Sequence, residues 1–196
     1  MQHLETDNTF RNLTDEELVA QIVKTKNSLL FEILYDRYSS MVYNKCYGFA
    51  KTVDETKDLT QDIFLKLYVK LPSFKGTSKF STWLYAFTYN SCVNHVNRNT
   101  AKKIEKVSVP LHEDNHLMIE TDDYNLFQLK VDKLQKALEM VSPEDKMILL
   151  LKYQDDLSIK DLSTVLEIGE SAVKMRLKRA KARIIEIYNE KLNAYG

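Results

Sequence analysis

His112 and His116 stand four residues apart with Glu113 between them, in the segment His-Glu-Asp-Asn-His. On a helix this spacing sets two imidazoles on one face beside a carboxylate, the arrangement that binds zinc and lets glutamate act as general base in peptide hydrolysis. That chemistry needs a rigid helix and a third ligand. Asp114 and Asn115 are poor helix formers, Pro110 closely precedes the segment, and no histidine follows His116. Glu139 or Glu144 would have to reach in from another structural unit. The spelling is read as a coincidence: no metal, no cofactor and no catalytic residue is expected, and the protein is not expected to be an enzyme.

The elements around this segment read as helices. The chain has 196 residues, 44% apolar and 29% charged, with four glycines and three prolines. That is globular composition with too few turn residues for an all-β fold. No apolar run of signal-peptide length opens the chain and none approaches a membrane span. No membrane insertion and a cytoplasmic location are therefore expected, with Cys46 and Cys92 as isolated, buried, reduced thiols. The net charge is zero, but its distribution is uneven. Ile63 through Ile104 contains no acid and seven basic residues, Lys66, Lys70, Lys75, Lys79, Arg98, Lys102 and Lys103. Residues 170–185 hold six cations and one acid. The compensating carboxylates sit mainly in 5–17, 54–62 and 113–123, so neutrality is a sum of opposed blocks.

Thr14 with Glu17, and Thr52 with Glu55, are spaced as capping boxes. They predict one short helix after Thr14 and another from Thr52 to about Leu71, with a helix from about Ser28 to Phe49 between them. Pro72 ends the third helix. A loop follows, and helical periodicity resumes from about Thr82 to Asn99. Residues 101–123 lack a sustained period and read as a flexible acidic linker. A second unit begins near Tyr124. In it Ser142-Pro143-Glu144-Asp145 predicts a helix start, Ser158 with Asp161 another, and Ile168-Gly169 a tight turn before a long basic helix. The expected fold class is all-α: an N-terminal helical bundle over 1–100, the linker, and a C-terminal helix-turn-helix domain over 124–196.

Three stretches carry functional content. In the last helix Val173, Leu177, Ala180 and Ile184 form one narrow stripe, which must be buried. Ser171, Met175, Lys178, Arg179 and Ala182 lie opposite, with Lys174, Arg176, Lys181 and Arg183 on the flanks. A short helix, a glycine-containing turn and this helix suit duplex DNA, with flanking cations on phosphate and the outer face toward base edges. In the acid-free block, Lys75 and Lys79 flank a loop bearing Phe74, Phe80 and Trp83. Taken alone the aromatic stripe reads as core packing, but rings beside cations also suit single-stranded nucleic acid. In the helix after Thr52, Ile63, Leu67 and Val69 to Leu71 can pack inward while Asp54, Asp58, Gln61 and Asp62 point out. This acidic face is available to a basic protein partner.

Taken in order, "DLTQDIFLKLY", "FKGTSKFSTWLYAFTYNSCVNHVNR", "LQKALEMVSPEDKMILLLKY" and "SIKDLSTVLEIGESAVKMRLKRAKARI" resemble the extracytoplasmic-function (ECF) group of bacterial RNA polymerase sigma factors over about residues 14–190. The resemblance implies core RNA polymerase as partner, docked through its largest subunit's clamp helices on Asp58, Leu59, Gln61, Asp62 and Phe64. It implies promoter DNA as second partner. The −10 element would be opened and captured by Lys75, Lys79, Phe80, Trp83, Asn90, Asn94 and Arg98. The −35 element would be read by the C-terminal helix through Ser171, Lys174, Met175, Arg176, Lys178, Arg179, Lys181 and Arg183. An anti-sigma factor is a further partner the family admits. A free-standing helix-turn-helix regulator is the alternative.

Overall fold

In the computed structural model, which describes Phe10 and residues 12–104 and 131–192, with side chains placed for Phe10, 12–101 and 133–190, no strand occurs among the described residues. Helix α1 (Asp15–Thr25) opens on a reciprocal cap: Thr14 Oγ1 accepts from Glu17 N at 3.3 Å, and Glu17 Oε2 accepts from Thr14 N at 2.9 Å. Asn27 caps α2 (Ser28–Tyr47) by accepting from Leu29 N at 3.0 Å. Helix α3 (Val53–Lys70) keeps half of its expected box. Thr52 Oγ1 accepts from Glu55 N at 3.1 Å, but the Glu55 carboxylate accepts from Lys51 N at 2.7 Å and meets His95 Nε2 at 2.8 Å. Pro72 sits in a 3-10 turn (Leu71–Ser73) that stops this helix.

Helix α4 (Phe80–Ile104) is longer at both ends than its periodicity predicts. Alanine and lysine at 101–103 are good helix formers and no breaker precedes Pro110, so 101–104, read as linker, continue the helix. The chain divides into two compact units, Met1–Val96 and Asn97–Gly196, a division that falls inside α4. The rest of the linker, including His112 and His116, and the expected start near Tyr124 lie outside the described residues.

The first unit is held by apolar stripes of four helices. Leu18, Ile22, Leu34, Ile63, Leu67 and Leu84 are fully buried, each contributing about 1.5–3 kcal/mol by leaving water. Cys46 and Cys92 are buried thiols without a disulfide, and they are not isolated: the Cys92 thiol lies 4.0 Å from Cys46 Sγ as a hydrogen bond between α2 and α4. A charge is also buried. Lys45 sits over the rings of Tyr85 and Tyr89, 4.4 and 4.7 Å from their centroids, and donates to the Tyr89 hydroxyl at 3.4 Å. The ring faces replace part of the hydration the ammonium loses.

In the second unit α5 (Val131–Met140) is followed by α6 (Pro143–Leu149), with Ser142 Oγ accepting from Asp145 N at 3.1 Å and Pro143 in the first turn. A π turn (Leu150–Gln154) leads to α7 (Ile159–Leu166), whose Ser158–Asp161 box is complete. Helix α8 (Glu170–Ile187) packs on α5, α6 and α7 through Val173, Leu177, Ala180 and Ile184, the stripe its spacing predicts. The tight turn into α8 is present. Glu167 ends α7 in the left-handed region at φ 54, whereas Gly169 is the N-cap of α8 at φ −61.

Two outcomes follow from these placements. Glycine adopts the conformation of Glu167 without the Cβ clash, so Glu167→Gly is expected to raise the unfolding free energy by about 0.5–1 kcal/mol. Chemical denaturation measures it, and an unchanged or lower midpoint contradicts the assignment of strain. The hydrogen bond to His95, and next the Lys51 amide, hold Glu55 below its ordinary 4.5. A lowered carboxylate stabilises the fold above that ordinary value and loses this contribution as the pH falls through the lowered one. Glu55→Gln should therefore flatten the loss of thermal stability between about pH 5 and pH 3. An unchanged acid limb would exclude Glu55 as its source.

Candidate nucleic-acid and protein interfaces

The outward strip of α3 is narrower at one end and longer at the other than the sequence suggests. Asp58, Gln61 and Asp62 are exposed. Leu59 and Phe64 are not on that face: they are 3% and 4% exposed, with the Phe64 ring 4.5 Å from Tyr35 and 6.4 Å from Phe31. They support the helix from inside the core. Val69, expected inside, is 72% exposed, and Leu65 is 70% exposed. Together they continue the strip of Asp58 and Asp62 at helical spacing. The result is an acidic half followed by an apolar half. The Asp62–Lys66 pair, 3.6 Å apart and open to water, leaves that acidity largely available.

On α4, Trp83, Phe87, Asn90, Asn94 and Arg98 fall on one stripe at spacings of three or four residues. Asn90, Asn94 and Arg98 are exposed, whereas Trp83 and Phe87 are half-buried. Trp83 stacks on Phe87 at 5.4 Å and 15° and meets Phe74 at 5.6 Å. Phe80 is placed differently. It is fully buried, edge-on to Tyr38 at 5.6 Å and to Phe74 at 5.4 Å, so it backs the aromatic ladder. Lys75 and Lys79 are exposed on the loop, which turns at Gly76 with φ 68.

The outer face of α8 presents Ser171, Lys174, Met175, Arg176 and Arg179 to solvent, with Lys178 and Lys181 half-buried. Arg183 is engaged within the fold: its Nη1 lies 2.8 Å from Asp145 Oδ2 on α6. This pair fastens α8 to α6 and engages one of the four flanking cations expected for phosphate, whose side chain stays 42% exposed. The unit otherwise has the arrangement that duplex readout requires, a buried stripe opposite an exposed face with cations beside it.

Among the described residues no group of three metal-ligating side chains forms a site, and no helix is long and apolar enough to cross a membrane.

These elements coincide with two known families. Sigma-70 region 2 matches residues 34–102, spanning α2 to α4, and Sigma-70 region 4 matches residues 132–184, spanning α5 to most of α8. The chain is 27% identical over 175 residues to the ECF RNA polymerase sigma factor SigW of Bacillus subtilis, covering 81% of this chain and 89% of that protein. It is 26% identical over 179 residues to the ECF RNA polymerase sigma-E factor of Escherichia coli, covering 88% and 93%. In fold it is similar to CnrH, solved in complex with the cytosolic domain of CnrY, with a TM-score of 0.58, 18% identity and coverage of 90% and 98%. It is also similar to the sigma factor RpoE of Bartonella quintana, solved with the anti-sigma factor NepR, with a TM-score of 0.56, 19% identity and coverage of 82% and 98%. With both regions present in order on two helical units, the chain belongs to the extracytoplasmic-function group of RNA polymerase sigma factors.

Proposed function

We propose that this chain joins core RNA polymerase through the outward strip of α3 and directs the enzyme to promoters by reading a −10 and a −35 element. Asp58, Gln61 and Asp62 face basic groups on the clamp helices of the largest subunit, and Leu65 and Val69 bury against their apolar side chains. The stripe of α4, with Lys75 and Lys79, takes the opened −10 strand: Trp83 and Phe87 offer ring surface, Asn90 and Asn94 hydrogen bonds, and Arg98 a phosphate contact. Helix α8 enters the major groove at −35, where Lys174, Arg176 and Lys181 hold phosphate while Met175, Lys178 and Arg179 face base edges. An anti-sigma factor that covers the same faces is the antagonist we propose. The factor itself makes and breaks no covalent bond.

One observation carries this reading. A surface of single-strand type, rings followed by amides and a cation on α4, occurs on the same chain as a surface of duplex type on α8. A regulator that binds intact duplex has no use for the first. Promoter opening uses both.

Three substitutions, one on α3 and two on α8, test the proposal. Asp62→Arg should lower retention on core polymerase at unchanged helicity. Arg179→Ala should cost about 1–3 kcal/mol at a single −35 base pair, because a bidentate arginine contact specifies one base. Lys174→Ala should instead weaken all promoters alike and reduce the salt slope by about 0.9. Wild-type retention of Asp62→Arg, or uniform weakening by Arg179→Ala, contradicts the assignment of faces.

A further inference from the structure

The acid-free block poses a structural problem at the start of α4. A helix N-terminus carries unpaired amide N–H groups and partial positive charge, ordinarily answered by a local carboxylate in the first turn. Helix α4 has none there, and its nearest charged neighbours in sequence are Lys75 and Lys79. A local acid would repel phosphate at a surface proposed to hold it. The fold supplies the carboxylate from elsewhere: Glu16 on α1 accepts from Phe80 N at 2.8 Å, across 64 residues of sequence.

The surroundings make this contact matter for the loop. Between α1 and the loop lies a cavity of about 410 Å³, walled by Val19, Val23, Leu71, Pro72 and Phe74, with Glu16 also on its lining. The loop is thus incompletely packed on α1 at that point. The amide Glu16 holds belongs to Phe80, whose ring supports Phe74 and lies 5.9 Å from Trp83. The neighbouring acid is also engaged. Asp15 accepts from Arg37 Nη1 at 2.7 Å and from the Tyr38 hydroxyl, whose ring backs Phe80. Burial first, and that hydrogen bond second, push the Tyr38 phenol above its ordinary range, so it remains a donor.

We infer that Glu16 is a positioning residue for promoter opening: from α1 it caps α4 and fixes the loop of Lys75 and Lys79 and the ladder of Phe74 and Trp83 against the −10 strand. The inference rests on the −10 role proposed for α4. It assigns the N-terminal helix a task in melting that is separate from polymerase docking, which lies on α3.

The chain has one tryptophan, so Trp83 reports this ladder directly. In the free full-length protein, Glu16→Ala should raise acrylamide quenching of Trp83 at unchanged far-ultraviolet circular dichroism. In holoenzyme it should lower open-complex formation on duplex promoters about tenfold, the size expected for losing a charge-assisted hydrogen bond, at wild-type affinity for core polymerase. Glu16→Gln keeps an oxygen that accepts from the same amide and should restore most of both signals. Wild-type quenching and wild-type opening by Glu16→Ala would overturn the inference. So would loss of opening in strict parallel with lower core affinity and unfolding midpoint, which marks a merely structural contact. If wild-type holoenzyme opened no promoter, the proposed −10 role would fail, while Trp83 quenching would still decide whether Glu16 holds the ladder.

Discussion

Carboxylates repel phosphate, and the placement of acids in the first unit answers to that constraint. From Ile63 to Ile104 the chain carries no acid. Its helix still has an N-terminus to neutralise and a histidine to pair. Both needs are met in trans, by Glu16 of α1 at Phe80 N and by Glu55 of α3 at His95. In the second unit α8 carries its own first-turn acid, Glu170, and Asp145 of α6 holds Arg183 further along the helix. Acids on neighbouring helices therefore fasten the cationic elements, and the exposed acids of α3 define a surface of different chemistry. A neutral chain can in this way present separate acidic and basic faces without large self-repulsion.

The backbone plan was largely legible because caps and apolar spacing are local signals. Thr14, Ser142 and Ser158 each accept the amide their spacing implies, and all four stripe residues of α8 are buried. Side-chain placement on α3 was harder to read. Leu59, Ile63, Phe64, Leu65, Leu67 and Val69 place apolar groups around most of its circumference, so periodicity cannot say which are covered. Only packing decides: the Phe64 ring is claimed by Phe31 and Tyr35 from α2, leaving Leu65 and Val69 outside. Phe80 was ambiguous for the same reason, since an aromatic in a basic loop serves a core or a base equally well. Long-range acceptors such as Glu16 leave no trace in local sequence. Glu167 likewise gives no local sign that it, and not Gly169, takes the left-handed position in the turn.

The aromatic ladder joins stability to the proposed reading of DNA. Phe80 and Tyr38 pack edge-on inside, while Trp83 stacks nearly parallel on Phe87 at the half-buried margin. Ring pairs of this kind contribute about 0.5–1.5 kcal/mol beyond their buried area, enough to hold the outer rings in place before any base arrives. Preorganised ring surface loses less entropy when a strand stacks on it. In the proposed reading, polymerase holds two weak DNA contacts on one promoter, so that the second contact benefits from the effective concentration set by the first.

Transcription reconstituted from purified core polymerase and this chain, on a library of duplex promoters, tests that account most directly. The account predicts transcripts only when both proteins are present, initiating downstream of two short elements at a fixed spacing. If polymerase gained no promoter-dependent initiation while the chain alone bound duplex tightly as a dimer, the account would be contradicted in favour of a free-standing regulator.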